Sequence, residues 1–111
     1  GFAVYSVDDG TTCELLEAGA KGCISVTANV APAQMSESCR LVVSGDIDTG
    51  RVVDTRLQPL HRALFLEPNP IPVKYALGYM GLIDPTMRLP LVPLSEEFEG
   101  GLIKAIDECL K

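Results

Sequence analysis

Two strand-like segments, with no third, restrict most strongly what this 111-residue chain can fold into. Residues 2–7 form an apolar run rich in β-formers, and residues 23–27 alternate and are β-branched. Between them, residues 11–18 place apolar and acidic side chains on opposite sides, which is typical of a short helix. A strand, a helix and a strand within about 27 residues predict a βαβ unit with parallel strands and a right-handed crossover.

The remaining residues have helical periodicity. Apolar residues at spacings of three and four predict four helices, over 32–44, 46–66, 70–81 and from Ser95 to the chain end. Pro59 should kink or break the second of these. Asn69 is the expected N-cap of the third, with Pro70 as its first helical residue. The last helix has Phe98, Leu102, Ile106 and Leu110 on its apolar face. Its Gly100–Gly101 pair weakens it by up to about 2 kcal/mol relative to alanine.

Two parallel strands alone do not make a stable sheet, because parallel sheets are normally buried on both faces among several neighbours. Apolar residues are 47% of the chain and charged residues 22%, so a packed core is expected. The outer edges of both strands would nevertheless be unpaired. We therefore expect that another chain supplies neighbouring strands, or that these residues are a piece of a larger sheet.

The charge distribution excludes several classes of function. Fifteen acidic and nine basic residues give a net charge of −6, and the bases are scattered without forming a stripe that nucleic acid could follow. No apolar run reaches the roughly 18 residues that span a bilayer, and the first residues do not resemble a signal peptide. Neither a nucleic-acid partner nor a membrane partner is expected.

The four cysteines, Cys13, Cys23, Cys39 and Cys109, include no C-x-x-C pair, and His61 is the single histidine. This spacing argues against a zinc site or any other metal centre. Three of the cysteines fall at helix-periodic positions and one opens a strand-like run, as buried reduced thiols do. The pattern favours reduced cysteines and a cytoplasmic location over disulfides.

No catalytic group emerges from the residues themselves. His61 has no acid or nucleophile at a suggestive spacing, and we expect it to pack at the flank of its helix. Asp8 and Asp9 follow a strand, where catalytic carboxylates often occur, but capping of the next helix is the favoured role. None of the four lysines, at positions 21, 74, 104 and 111, is placed at a strand end as a nucleophile would be.

Four segments resemble one enzyme family. Gly22–Asn29 is similar to the last barrel strand of the dihydrodipicolinate synthases. Leu57–His61 with Leu64–Phe65, Glu67–Lys74 and Arg88–Leu94 resemble that family's C-terminal helical region in order and spacing. The resemblance covers nearly the whole chain. Related Schiff-base lyases acting on neuraminate or sugar acids share the barrel, but the Asn69–Lys74 run is more similar to the dihydrodipicolinate branch.

The resemblance implies an α/β fold: residues 1–45 would be the last two βα units of a TIM (β/α)8 barrel, and residues 46–111 a C-terminal helical extension. A complete barrel takes roughly 250 residues, so the first six strands are expected upstream as a missing partner segment. The family condenses pyruvate with aspartate semialdehyde in lysine biosynthesis, through an imine on a lysine of the sixth strand. That lysine would lie outside these residues, no cofactor is implied, and the segment alone is expected to be inactive.

Two site residues follow from the resemblance. Ile24 matches the family's isoleucine that packs against bound pyruvate. Val7 stands where the family usually has a glycine whose backbone faces the pocket, so the pocket shape is expected to differ. Ser6, Asp8 and Asp9 flank Val7 and are candidates to line the barrel mouth, with capping preferred for the aspartates.

The resemblance also implies a homo-oligomer, a tetramer or a dimer, with Ala18 near the contact between tightly paired subunits. Two alternatives remain open. The chain could be a short protein that keeps the helices as a non-catalytic assembly module and gains strand partners through symmetric association. It could also be a truncated gene product or a proteolytic piece.

Overall fold

A computed structural model describes residues 1–111. Its single sheet has two parallel strands, β1 (Tyr5–Ser6) and β2 (Gly22–Cys23), with Tyr5 opposite Gly22 and Ser6 opposite Cys23. The N–H of Lys21 donates to the Val4 carbonyl at 2.8 Å, so the ladder extends beyond the paired residues. The prediction of two parallel strands joined by a helix is confirmed. Both strands are shorter than expected, because each has one neighbour and the second bends into a 3₁₀ turn.

Five α-helices follow the predicted order. They are α1 (Thr12–Glu17), which a 3₁₀ turn over Asp9–Thr11 precedes, α2 (Pro32–Val43), α3 (Ile47–Ala63), α4 (Ile71–Tyr79) and α5 (Glu96–Cys109). A second 3₁₀ turn over Thr27–Asn29 links β2 to α2. No helix combines the length and the apolar character needed to cross a bilayer.

Two details of the helix boundaries differ from the predictions. Pro59 lies inside α3 without ending it. Asn69 does not cap α4; Pro70 holds the N-cap position, Ile71 is the first helical residue and Pro72 the second. A proline in the first turn of a helix is tolerated because the N–H groups there have no intrahelical acceptor. Gly81 follows the end of α4 with φ +76°, as a left-handed C-terminal glycine does.

The main core lies where α3 and α5 pack together. Leu57, Leu60 and Leu64 of the α3 stripe are at most 1% exposed, as are Leu102 and Ile106 of α5. Leu110, predicted for the same face of α5, lies beyond the end of the helix and is exposed. The same cluster includes residues from before position 46, namely Val30, Ala31 and Met35. One core therefore extends over both of the segments 1–45 and 46–111.

Candidate functional site

The two predicted site residues lie together at one edge of the sheet. Val7 directly follows β1 and Ile24 directly follows β2, so both stand at the carboxyl ends of parallel strands. The N–H of Ile24 donates to the Ser6 carbonyl at 2.8 Å, which fixes the two chain segments side by side. Val7 is 76% exposed and Ile24 72%. In α/β sheets, this edge is where ligands bind.

The first strand is apolar and largely uncovered. Phe2 is 98% exposed, and Val4 and Tyr5 are each about half exposed. Exposed apolar patches of this kind mark surfaces that contact another protein segment or a ligand. Together with Val7 and Ile24, these side chains form what we call the open face: Phe2, Val4, Tyr5, Val7 and Ile24.

Asp9 connects the two loops that leave this edge. Its carboxylate is 2% exposed and accepts hydrogen bonds from the N–H groups of Val26 and Thr27, both at 3.0 Å, and from the Ser25 hydroxyl. The prediction that Asp9 caps the helix after β1 is therefore wrong. It satisfies instead the free donors of the turn after β2, because parallel strands bring both loops to the same edge.

Asp8 does not cap the helix with its side chain either. Its carboxylate is exposed and accepts from the Thr11 hydroxyl at 2.9 Å, whereas its backbone carbonyl accepts from the Thr11 N–H and the Thr12 hydroxyl. Ser6 is buried, and its hydroxyl lies 2.9 Å from that of Thr12. Ser6 therefore points towards α1 and not into the edge where Val7 and Ile24 lie.

His61 is buried, contrary to the prediction that it packs at a helix flank. It is 2% exposed, its Nδ1 lies 2.7 Å from the Thr27 hydroxyl, and its Nε2 lies 3.8 Å from Asp54 Oδ1 without a hydrogen bond. The spacing of four residues from Leu57 places His61 on the apolar stripe of α3. That spacing is the signal by which the sequence could have revealed its burial.

A continuous polar path therefore connects the sheet edge to the helical segment. Thr27 donates its N–H to Asp9 and its hydroxyl contacts His61, which lies beside Asp54. Gln58 adds a second tie, because its Nε2 donates to Asp54 and to the carbonyl of Gly10 after β1. This network was not predictable from the sequence, because its partners are far apart in the chain.

The residues at this edge of the sheet can take part in few kinds of chemistry. No group of three or more His, Cys, Asp or Glu side chains is placed to hold a metal ion. The Asp9 carboxylate accepts three hydrogen bonds from the turn after β2, and the Lys74 ammonium donates to the Thr86 carbonyl at 2.6 Å. The edge supplies an apolar wall on a rigidly held backbone.

Comparison with known proteins gives a consistent result. The model of the dihydrodipicolinate synthetase family matches residues 1–109. The 4-hydroxy-tetrahydrodipicolinate synthase of Alcanivorax borkumensis is 53% identical over 108 residues, which are 97% of this chain and 37% of that protein. That of Stutzerimonas stutzeri is 56% identical over 105 residues, 95% of this chain and 36% of that protein.

Solved structures agree with the sequence matches. The chloride-inhibited dihydrodipicolinate synthase from Acinetobacter baumannii, complexed with pyruvate, superposes with a TM-score of 0.94 at 48% identity, over 97% of this chain and 37% of that one. A monomeric dihydrodipicolinate synthase variant gives a TM-score of 0.93 at 50% identity, over 96% and 36% of the two chains. The chain thus spans a little over a third of the length of the relatives that it matches.

Proposed function

Because the chain belongs to the dihydrodipicolinate synthetase family, we propose that it forms one wall of the pyruvate pocket in a cytoplasmic lyase that condenses pyruvate with aspartate semialdehyde. The observation that carries this proposal is the position of Ile24 and Val7, side by side and exposed at the carboxyl edge of a parallel sheet. Active sites of barrels built from parallel strands lie at this edge. The product would enter lysine biosynthesis.

The proposed fold of the complete protein is a TIM (β/α)8 barrel with a helical extension. Residues 1–45 would be the last two βα units and residues 46–111 the extension. The open face supports this assignment, because Phe2, Val4 and Tyr5 require neighbours that the sheet of two strands does not provide. The other six strands, from the rest of the polypeptide, would cover these side chains and close the barrel.

In this assignment the chain binds substrate and performs no covalent step. Ile24 packs against bound pyruvate, and Val7 places an isopropyl group where a glycine would leave the backbone bare. The lysine that forms the imine, with release of water from the pyruvate carbonyl, lies in the other part of the barrel. Asp9 acts as a positioning residue, because it holds the turn that follows Ile24.

The sharpest test is the substitution Ile24→Ala in the complete protein. Loss of the apolar contact should raise the KM for pyruvate about tenfold, which corresponds to about 1.4 kcal/mol. The KM for aspartate semialdehyde should change little. Val52→Ala, which removes methyl groups from an exposed position on α3, is the matched control and should leave both values unchanged. Equal pyruvate KM values for the two variants would contradict the role of Ile24.

Imine trapping tests the assignment of the catalytic lysine. Borohydride reduction of the complete protein in the presence of pyruvate should leave a stable adduct on a lysine that lies outside this 111-residue chain. Peptide mapping by mass spectrometry locates the adduct. An adduct on Lys21, Lys74, Lys104 or Lys111 would refute the division of roles between this segment and the rest of the protein.

We also propose that the complete protein is a homo-oligomer, a tetramer or a dimer. Ala18, at the C-terminal end of α1, is exposed, so a second subunit can reach it. Substitution Ala18→Asp should shift the molar mass measured by light scattering towards the monomer. An unchanged mass would place the subunit contact elsewhere.

A further inference from the structure

Cys23 and Cys39 are in direct contact although 16 residues separate them in the sequence. Cys23 ends β2, Cys39 lies in α2, and their Sγ atoms are 3.6 Å apart. Both side chains are half-buried and reduced. We propose that these two residues form a redox-sensitive dithiol, which hydroperoxides convert into an intramolecular disulfide between β2 and α2.

The geometry requires only a small adjustment. A disulfide bond is about 2.05 Å long, so the two sulfur atoms must approach by roughly 1.5 Å. Both thiols line one open cavity of about 280 Å³, whose other walls include Gly22, Ala28 and Met35. This cavity gives the sulfur atoms room to rotate and admits a small oxidant.

The two thiols have different roles in the proposed reaction. Burial, together with the hydrogen bond to Cys23, raises the pKa of Cys39 to about 12. Cys39 therefore keeps its proton, and either sulfur can be the donor of the hydrogen bond that joins the two thiols. Cys39 is therefore the resolving thiol, and oxidation begins at its partner Cys23, whose sulfur lies 3.6 Å away.

The reaction proceeds in two balanced steps. The Cys23 sulfur loses its proton and attacks one oxygen of hydrogen peroxide, the O–O bond breaks, and the leaving hydroxide takes up that proton, so that a sulfenic acid and one water form. The Cys39 sulfur then attacks the Cys23 sulfur, gives up its proton, and displaces the sulfenic hydroxyl as a second water. Two thiols are oxidised and one peroxide is reduced.

The other two cysteines lack these features. Cys13 is 5% exposed and its thiol faces the Glu17 carboxylate at 3.7 Å, while burial raises its pKa to about 11. Cys109 is 8% exposed on α5, and burial raises its pKa as well. Cys39 also packs against the cluster that contains Cys13, but neither Cys13 nor Cys109 forms a sulfur–sulfur hydrogen bond of the kind that joins Cys23 and Cys39. The oxidation should therefore be specific for the pair in β2 and α2.

The test uses the complete protein treated with hydrogen peroxide, followed by alkylation of free thiols and peptide mapping. We expect one linked pair of peptides containing Cys23 and Cys39, which dithiothreitol separates again. In Cys39→Ser, Cys23 should stop at the sulfenic acid and react with dimedone. Cys13→Ser and Cys109→Ser are the matched controls and should retain the linked pair.

Two results would overturn the proposal. One is the absence of the linked peptides at a peroxide concentration that oxidises free glutathione completely. The other is oxidation of Cys13 and Cys109 at the same rate as the pair. Both readouts are independent of enzymatic activity, so they stand or fall separately from the proposed role of Ile24 in pyruvate binding.

Discussion

At the scale of single residues, Asp9 holds the turn after β2 against the end of β1 through three hydrogen bonds. One Asp9 oxygen accepts from both the Val26 and the Thr27 N–H groups, and the other accepts from the Ser25 hydroxyl. Replacement by asparagine keeps one acceptor oxygen but removes the charge and places an NH₂ group at the position of the second oxygen, and hydrogen bonds to charged groups contribute about 1.5–3 kcal/mol against about 1 for neutral ones. We expect Asp9→Asn to lower the free energy of unfolding by about 1–3 kcal/mol, measured by urea denaturation.

Asp8→Asn is the matched control for this prediction. Asp8 is the neighbouring carboxylate, but it is exposed, and its side chain accepts one hydrogen bond, from the Thr11 hydroxyl. Its substitution should leave the urea midpoint nearly unchanged. If both variants lose the same stability, the effect belongs to charge at the sheet edge and not to the buried hydrogen bonds.

The ion pair between α1 and α3 gives a pH-dependent contribution. Arg51 donates from Nε and Nη2 to the Glu17 carboxylate at 2.7 and 2.6 Å, and this lowers the pKa of Glu17 from its ordinary value of 4.5. A carboxyl group whose pKa is lowered by folding stabilises the folded state at pH values above its unfolded pKa. This contribution is lost as the pH falls through the folded pKa. The effect is small because the pair is exposed.

We therefore expect Arg51→Gln to flatten the loss of stability on acidification below pH 4.5. Thermal unfolding followed by circular dichroism from pH 7 to pH 3 would measure the difference. Arg56→Gln, at an exposed position of the same helix, is the control and should keep the acid dependence of the parent protein. Identical profiles for the two variants would show that the Arg51–Glu17 contact contributes nothing.

Whether a contact between two residues could be predicted depended on how far apart they lie in the sequence. The burial of His61 was within reach, because four residues separate it from Leu57 on one helix. The partners of Asp9 were not, since they lie 16 to 18 positions away and meet it only after the parallel strands have paired. The Cys23–Cys39 contact escaped prediction for the same reason.

At the scale of elements, the helices were predictable because their apolar residues recur with the period of the helix, and three of the five helices are followed by a glycine with positive φ. The strands were predicted in place but not in length, since a strand's extent depends on how many neighbours it has. The start of α4 was displaced by one residue, because two nearby prolines both suit a first helical turn.

Gly100 and Gly101 give a prediction for α5. Both are exposed within the helix, and a Cβ atom at either position would meet no atom within 4 Å. Replacement of both by alanine should raise the free energy of unfolding by up to about 2 kcal/mol, because alanine loses less backbone entropy. The measurement is the urea midpoint of the double variant.

Gly50→Ala provides the opposite case in α3. Its Cβ would lie 2.5 Å from a methyl group of Val42 and 3.4 Å from the Val42 backbone nitrogen. Since α2 packs closely there, we expect a loss of stability despite the gain in helix propensity. A stabilised Gly50→Ala variant, or an unaltered double variant in α5, would contradict this account of the glycines.

At the scale of the whole molecule, the core and the open face differ in whether other parts of this chain cover their apolar side chains. The core of α3 and α5 is buried and includes residues from both of the segments 1–45 and 46–111. The apolar side chains of the open face have no such cover and remain exposed. The sequence predicted that the outer edges of both strands are unpaired, since two parallel strands have only each other as neighbours.

The open face leads to the last prediction, which concerns the chain in isolation. If barrel strands normally cover Phe2, Val4 and Tyr5, the isolated 111-residue chain should bind the dye ANS strongly and associate at micromolar concentration. Co-expression with the remaining segment of a close relative should abolish the dye signal and restore imine trapping by pyruvate. The double substitution Phe2→Ser and Tyr5→Ser should weaken dye binding without melting the helices. An isolated wild-type chain that stays monomeric and does not bind the dye would mean that these side chains need no partner, and the barrel assignment would then lose its physical support.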